Sequence, residues 1–192
     1  MRQLLSAVEY MHSMNIGHFD LKLENVLLCN DIDHIQLIDF GLSKVLADSE
    51  SLTSPMGSLA YMAPEVIGSP HRPTSFDVKA DIWSAGVMLY ALLCNRFPYE
   101  LPENRDRVPF KATMQLMRDL IDETSDSVIG RCPTQKSDAL TFIELMLTIE
   151  PSERISAHGA LNHPWLKIPV TEENIPNKRF RTSAVSLDTV KP

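Results

Sequence analysis

Residues 77–94, DVKADIWSAGVMLYALLC, constrain the fold more than any other stretch. The run has helical length, and Ile82, Trp83, Val87, Met88, Leu89 and Leu92 would put apolar side chains on nearly every face of that helix. Such a helix has no face for water, so it belongs at the centre of a domain with other elements wrapped around it. Asp77 can cap its start. Asn95 can take the left-handed conformation that closes it. Its most apolar part, VMLYALLC (87–94), is shorter than the roughly 20 residues a membrane-spanning helix needs.

The rest of the chain supplies elements able to surround it. Leu4, Val8 and Met11 form one stripe of a helix over residues 1–14, which Gly17 would end. Two β-type runs follow, VLLC (26–29) and HIQLI (34–38). Asn30, Asp31 and Asp33 between them have hairpin turn chemistry. A calcium loop is excluded there, because the required Gly and distal Glu are missing. Residues 41–76 read as a long loop of the kind that is usually functional or disordered. Further helices are expected with Phe110, Met114, Met117 and Ile121 on one stripe, over 138–149 (Leu140, Ile143, Met146, Leu147) and over 156–162. Pro151 and Pro164 stop the last two. From Lys167 the chain turns polar without a hydrophobic period, a flexible tail. The expected organisation is one mostly helical domain, 1–166, with a small β element near its start and a tail at 167–192.

A net charge of −7 argues against a nucleic-acid surface. Cys29, Cys94 and Cys132 are scattered, which suggests free thiols rather than a disulfide framework or a metal knuckle. The N-terminal MRQLLSAVEYMHSM carries polar residues at every turn, unlike a signal peptide. The expectation is a soluble intracellular protein, cytoplasmic or nuclear, that binds neither membrane nor nucleic acid.

The chemistry concentrates in four stretches: HFDLKLEN (18–25), DFG (39–41), AYMAPE (60–65) and DIWSAGVMLY (81–90). In this order and context they resemble the eukaryotic protein kinase family, whose pattern is H-R-D-L-x-x-x-N, D-F-G and A-P-E. The resemblance covers the chain to about residue 166. It implies the C-terminal, mostly helical lobe of a kinase domain, with a β-hairpin beside the catalytic loop. It also implies ATP and Mg²⁺ as cofactors and a protein as substrate. Phosphoryl transfer is mostly positioning and charge neutralisation. By resemblance, Asp20 orients the attacking hydroxyl and accepts its proton, and Lys22 neutralises the transferred phosphate. Asn25 and Asp39 hold magnesium, and Leu27 lies under the adenine ring. Glu24 reads a basic residue of the substrate, and Ser58 contacts Asp20 and Lys22. His18 is a packing and hydrogen-bonding residue, and Phe40 and Gly41 complete the DFG turn. Asp81 braces the catalytic loop, and Glu65 pairs with Arg154. Lys22 and Ser58 favour Ser/Thr over Tyr specificity. LYALLCNRFPY and NHPWL look most like the calcium/calmodulin-dependent kinase group.

Two features depart from the family pattern. No Gly-x-Gly occurs and no lysine precedes Lys22, so the phosphate-covering loop, its lysine and the N-terminal lobe that carries them are absent from these 192 residues. The expectation is that this chain alone is inactive. The alternative is a pseudokinase-like lobe that docks partners without catalysis. The second departure is Phe19, where the family carries an arginine that contacts a phosphorylated activation-loop residue. A ring cannot pair with phosphate. It is expected to pack into the lobe and to alter the switch rather than the chemistry. Drift in a degenerating copy is the competing explanation. The tail's KRFRTS (178–183) could serve as an internal substrate or inhibitor, although a solvated basic patch is the simpler reading.

Overall fold

The computed structural model describes residues 1–29, 34–46, 52, 54, 56–67, 76–99 and 138–167. The turn at 30–33, the helix expected over 110–121 and the tail from 168 onward lie outside them. The described elements are α1 (Arg2–Ser13), β1 (Ile16–Gly17), β2 (Val26–Leu28), β3 (Ile35–Leu37), β4 (Lys44–Val45), α2 (Pro64–Ile67), α3 (Lys79–Cys94), α4 (Asp138–Met146), α5 (Ala157–Leu161) and α6 (Pro164–Lys167). Single 3₁₀ turns cover Leu23–Asn25 and Leu59–Tyr61.

Helix α3 is the central element. Every residue from Ala80 to Tyr90 is buried. The Asp77 carboxylate accepts the Lys79 amide at 2.7 Å, and Asn95 closes the helix at φ 53°, both as expected. Helices α1 and α4 pack on it, α5 packs on α1, and α6 packs on α4. The α1 stripe of Leu4, Val8 and Met11 is buried, with Leu5 alongside. Phe142 of α4 stacks on His163 at 4.6 Å and meets Trp165 at 5.5 Å, so the NHPWL stretch closes the helical core. Ser156 caps α5 by accepting the Gly159 amide at 3.1 Å. Pro164, expected to mark a helix stop, also opens α6, where its missing N–H costs nothing.

Three expectations need correction. Helix α1 covers Arg2–Ser13, close to the expected 1–14, but the residue that takes the left-handed conformation after it is Asn15, at φ 56°, and not Gly17. Gly17 instead pairs with Lys44 in the β1–β4 ribbon. The stretch 41–76 is not uniformly loop, because it contains β4, a 3₁₀ turn and α2. These pieces are too short for a periodic signal and form through non-local pairing. Cys94 is disulfide-bonded, whereas Cys29 is free and exposed. Disulfide geometry depends on tertiary approach, which spacing along the chain does not disclose.

The β2–β3 hairpin pairs Val26 with Leu37, Leu27 with Gln36 and Leu28 with Ile35. The Ile38 amide then donates to the Asn25 carbonyl at 3.0 Å. That register sets Asn25 and Asp39 at the same end of the hairpin.

Candidate active site

The site is built on a loop whose backbone is anchored from below. The Asp81 carboxylate, in the first turn of α3, accepts the amides of His18 and Phe19, each at 2.8 Å. His12 Nε2 lies 3.0 Å from the same carboxylate. These charge-assisted bonds hold Phe19 at φ 60°, a left-handed conformation uncommon for a bulky residue. His18 is fully buried. Its Nδ1 accepts the Asp20 amide at 3.3 Å and its Nε2 lies 3.2 Å from the Ile38 carbonyl. The ring is thus packed in the interior with both nitrogens facing backbone groups.

Asp20 stands at the top of this loop with both carboxylate oxygens engaged. Lys22 Nζ donates to Oδ2 at 2.8 Å, and the Ser58 amide donates to Oδ1 at 2.8 Å. Lys22 also donates to Ser58 Oγ at 3.0 Å. Asn25 Nδ2 donates to the Asp20 carbonyl at 2.9 Å and approaches Oδ2 at 3.4 Å. Burial alone would raise the Asp20 carboxyl. The bonds from Lys22 and Ser58, with the lysine's charge, outweigh it and hold the group below the ordinary aspartate value. Lys22 is raised, chiefly by its bond to Asp20, with Asp39 and Glu24 adding to it against partial burial.

Gly57 is a site residue that motif reading did not single out. Its φ is +99°, and a Cβ there would lie 2.3 Å from the Phe19 carbonyl oxygen. Only glycine lets this segment approach closely enough for the next amide, that of Ser58, to reach Asp20. The glycine preceding Ser58 was the available signal.

Around this centre the remaining candidates divide. Asn25 is buried, with its amide nitrogen used by Asp20. Asp39 is exposed at φ 62°, and its Oδ1 accepts the Gly41 amide at 3.3 Å. One amide oxygen and one carboxylate at the same hairpin end suit magnesium, which takes few protein ligands and completes its shell with phosphate and water. The donor set therefore fits Mg²⁺ carried by a nucleotide. Leu27, paired with Gln36 in the hairpin, is 46% exposed, and Phe40 is 52% exposed. Phe40 also contacts His18, with ring centroids 5.1 Å apart. Glu24 is exposed, with the Tyr61 hydroxyl 3.5 Å from Oε2.

Farther down, Arg154 is fully buried and meets Glu65 through two nitrogens, at 2.6 and 2.9 Å. Its other donors reach the carbonyls of Thr148, Ile149 and Lys79, and its guanidinium lies 5.2 Å from the Trp83 ring centroid. Lys79 Nζ donates to the Arg154 carbonyl. The pair ties α2, which follows the Ala60–Pro64 stretch, to α3 and the α4–α5 connection. Ser84 Oγ donates to the Tyr61 carbonyl at 2.8 Å, fixing the same stretch from α3.

Residues 1–166 match the family model described as the protein kinase domain. Myosin light chain kinase A of Dictyostelium discoideum is 37% identical over 170 residues, covering 86% of this chain and 52% of the relative. Serine/threonine-protein kinase 17A of Oryctolagus cuniculus is 34% identical, over 86% of this chain and 39% of the relative. Calcium/calmodulin-dependent protein kinase cmkB of Emericella nidulans is 33% identical, over 99% of this chain and 48% of the relative. The chain thus spans about half the length of the curated relatives it matches.

Proposed function

This chain belongs to the protein kinase family, and from that premise we propose that residues 1–166 are the C-terminal lobe of a protein serine/threonine kinase domain. In this reading the protein transfers the γ-phosphoryl group of Mg-ATP to protein hydroxyls. The observation that carries it is the state of Asp20, a carboxylate kept ionised by Lys22 and the Ser58 amide. An ionised carboxylate on a fixed loop can orient a substrate hydroxyl and take its proton. Lys22, held protonated, stands ready to meet negative charge on the transferred group. Asn25 and Asp39 would hold the magnesium, which bridges phosphates and neutralises developing charge. Leu27 would lie under the base, and Glu24 would read a basic residue of the substrate. The names of relatives that specify serine/threonine kinases support the same specificity here.

These 192 residues hold no Gly-x-Gly and no lysine before Lys22, so the chain by itself carries the transfer residues without a phosphate-covering loop. Its own turnover is expected to be negligible. The test is phosphate incorporation into a basic protein substrate by a fusion bearing a Gly-rich nucleotide-clamping lobe before Met1. Asp20→Asn is expected to lower its rate by roughly 10²- to 10⁴-fold, the usual range for a general base. Equal rates for the fusion and its Asp20→Asn variant would reject the reading and favour a docking module.

A further inference from the structure

Phe19 is buried, at 7% exposure, and its ring covers Gly17 so closely that a Cβ on Gly17 would lie 2.2 Å from Cζ. The outer side of the ring meets Phe76 edge-on, with centroids 5.7 Å apart and planes at 76°. This is a favoured aromatic arrangement. Phe76 also exchanges backbone hydrogen bonds with Leu52 in both directions, at 3.0 and 2.9 Å. Leu52 opens the stretch that leads to Gly57 and Ser58. Gly57 in turn sits against the Phe19 carbonyl, and the Ser58 amide bonds Asp20. Leu52 and Gly57 are therefore both linked to Phe19, the first through Phe76 and the second through its own close approach to the Phe19 carbonyl.

We infer that Phe76 is a positioning residue for Asp20. Its ring clasps Phe19 while its backbone pairs with Leu52, and together these contacts support the approach of the Ser58 amide to the carboxylate. An uncharged contact thus stands where an arginine at position 19 would require a phosphate. The clasp is built into the core and needs no modification to close. The inference rests on the proposed role of Asp20, but its geometry can be tested without turnover.

Hydrogen exchange on the 192-residue chain, without nucleotide, reads the clasp at the Leu52 and Ser58 amides, with the α3 amides as the control for folding. Phe76→Leu keeps apolar volume and removes the edge-on ring. It is expected to speed exchange at both amides by roughly threefold to tenfold, the range an aromatic pair supplies, with α3 unchanged. Phe76→Tyr, which retains the ring, should restore protection. The double variant Phe19→Leu/Phe76→Leu should exceed the worse single variant by little, because both remove one contact. Should Phe76→Leu loosen α3 as well, Phe19→Leu carries the test, since it leaves the Leu52–Phe76 pairing residues intact. Wild-type exchange at Ser58 in Phe76→Leu or Phe19→Leu, or fully multiplicative effects in the double variant, would overturn the inference. So would loss of Ser58 protection on Lys44→Ala alone, since Lys44 in β4 is the exposed cation paired with Gly17. In the lobe fusion, Phe76→Leu should lower kcat and leave the KM for ATP unchanged. A fusion that transfers no phosphate, beside the expected exchange pattern, would count against the proposed activity and not against the clasp.

Discussion

Residues 18–25 and residues 39–41 meet across one hairpin and are built in opposite ways. In the first, His18, Phe19, Asp20, Leu21 and Asn25 are buried, and Asp81, Lys22 and Ser58 fix their polar groups. In the second, Asp39, Phe40 and Gly41 are exposed, beside exposed Leu27 and Leu28. Polar contacts are strong in a low-dielectric interior and cost heavily when left unmade. The first region therefore has its geometry before any ligand arrives. The second presents oxygen donors and apolar side chains to solvent, where a ligand's own charge would do the fixing. The lesson is a division within one site: the groups around Asp20, Asn25 among them, are set by the fold, whereas Asp39 is left open to solvent.

The contrast breaks most visibly at its foundation. Asp81→Ala leaves the His18 and Phe19 amides buried without an acceptor. It should cost about 3–5 kcal/mol in urea unfolding, the scale of removing one member of a buried charged network. A cost below about 1 kcal/mol would mean that the loop holds itself. Gly57→Ala comes next. Its positive φ and the clash with the Phe19 carbonyl predict a loss of about 1–3 kcal/mol and release of the Ser58 amide from protection. Asp39→Asn tests the other side, with an expected stability change within about 0.5 kcal/mol. In the lobe fusion the same change should raise the magnesium concentration needed for transfer. A destabilisation as large as that of Asp81→Ala would erase the distinction between the two regions.

Much of this was legible in the sequence because it depends on local pattern. The α1 stripe, the burial of α3 as far as Tyr90 and the Asp77 and Asn95 caps follow from helical periodicity and backbone preference and hold, whereas Leu92, expected on the same all-apolar helix, is 63% exposed. The residues of HFDLKLEN and DFG come together because the hairpin between them has a readable alternation. What was not legible depends on pairing between distant segments. Two-residue strands such as β1 and β4 carry no period, so Gly17 looked like a helix stop and not like a strand residue under a ring. The sequence indicated that Phe19 would turn inward, and the structure adds its partner, Phe76. Nothing local connects Phe76 to Leu52, or Cys94 to its disulfide. The close approach of Gly57 to the Phe19 carbonyl likewise joins segments distant in sequence.

The central claim is that Asp20 is held ionised by partners within this chain, and its own titration tests that most directly. Carbon-13 NMR of labelled aspartate side chains, assigned through Asp20→Asn, follows the carboxyl from pH 7 downward. The account predicts a pKa below the ordinary aspartate value, because the bonds from Lys22 and Ser58 outweigh burial. Lys22→Met should move it upward. A carboxyl whose folded pKa is depressed stabilises the fold above its unfolded pKa and loses that contribution as pH falls through the folded value. The stability difference between wild type and Lys22→Met should accordingly shrink on acidification. A wild-type Asp20 that titrates at or above the ordinary value, or that is unmoved by Lys22→Met, would contradict the account.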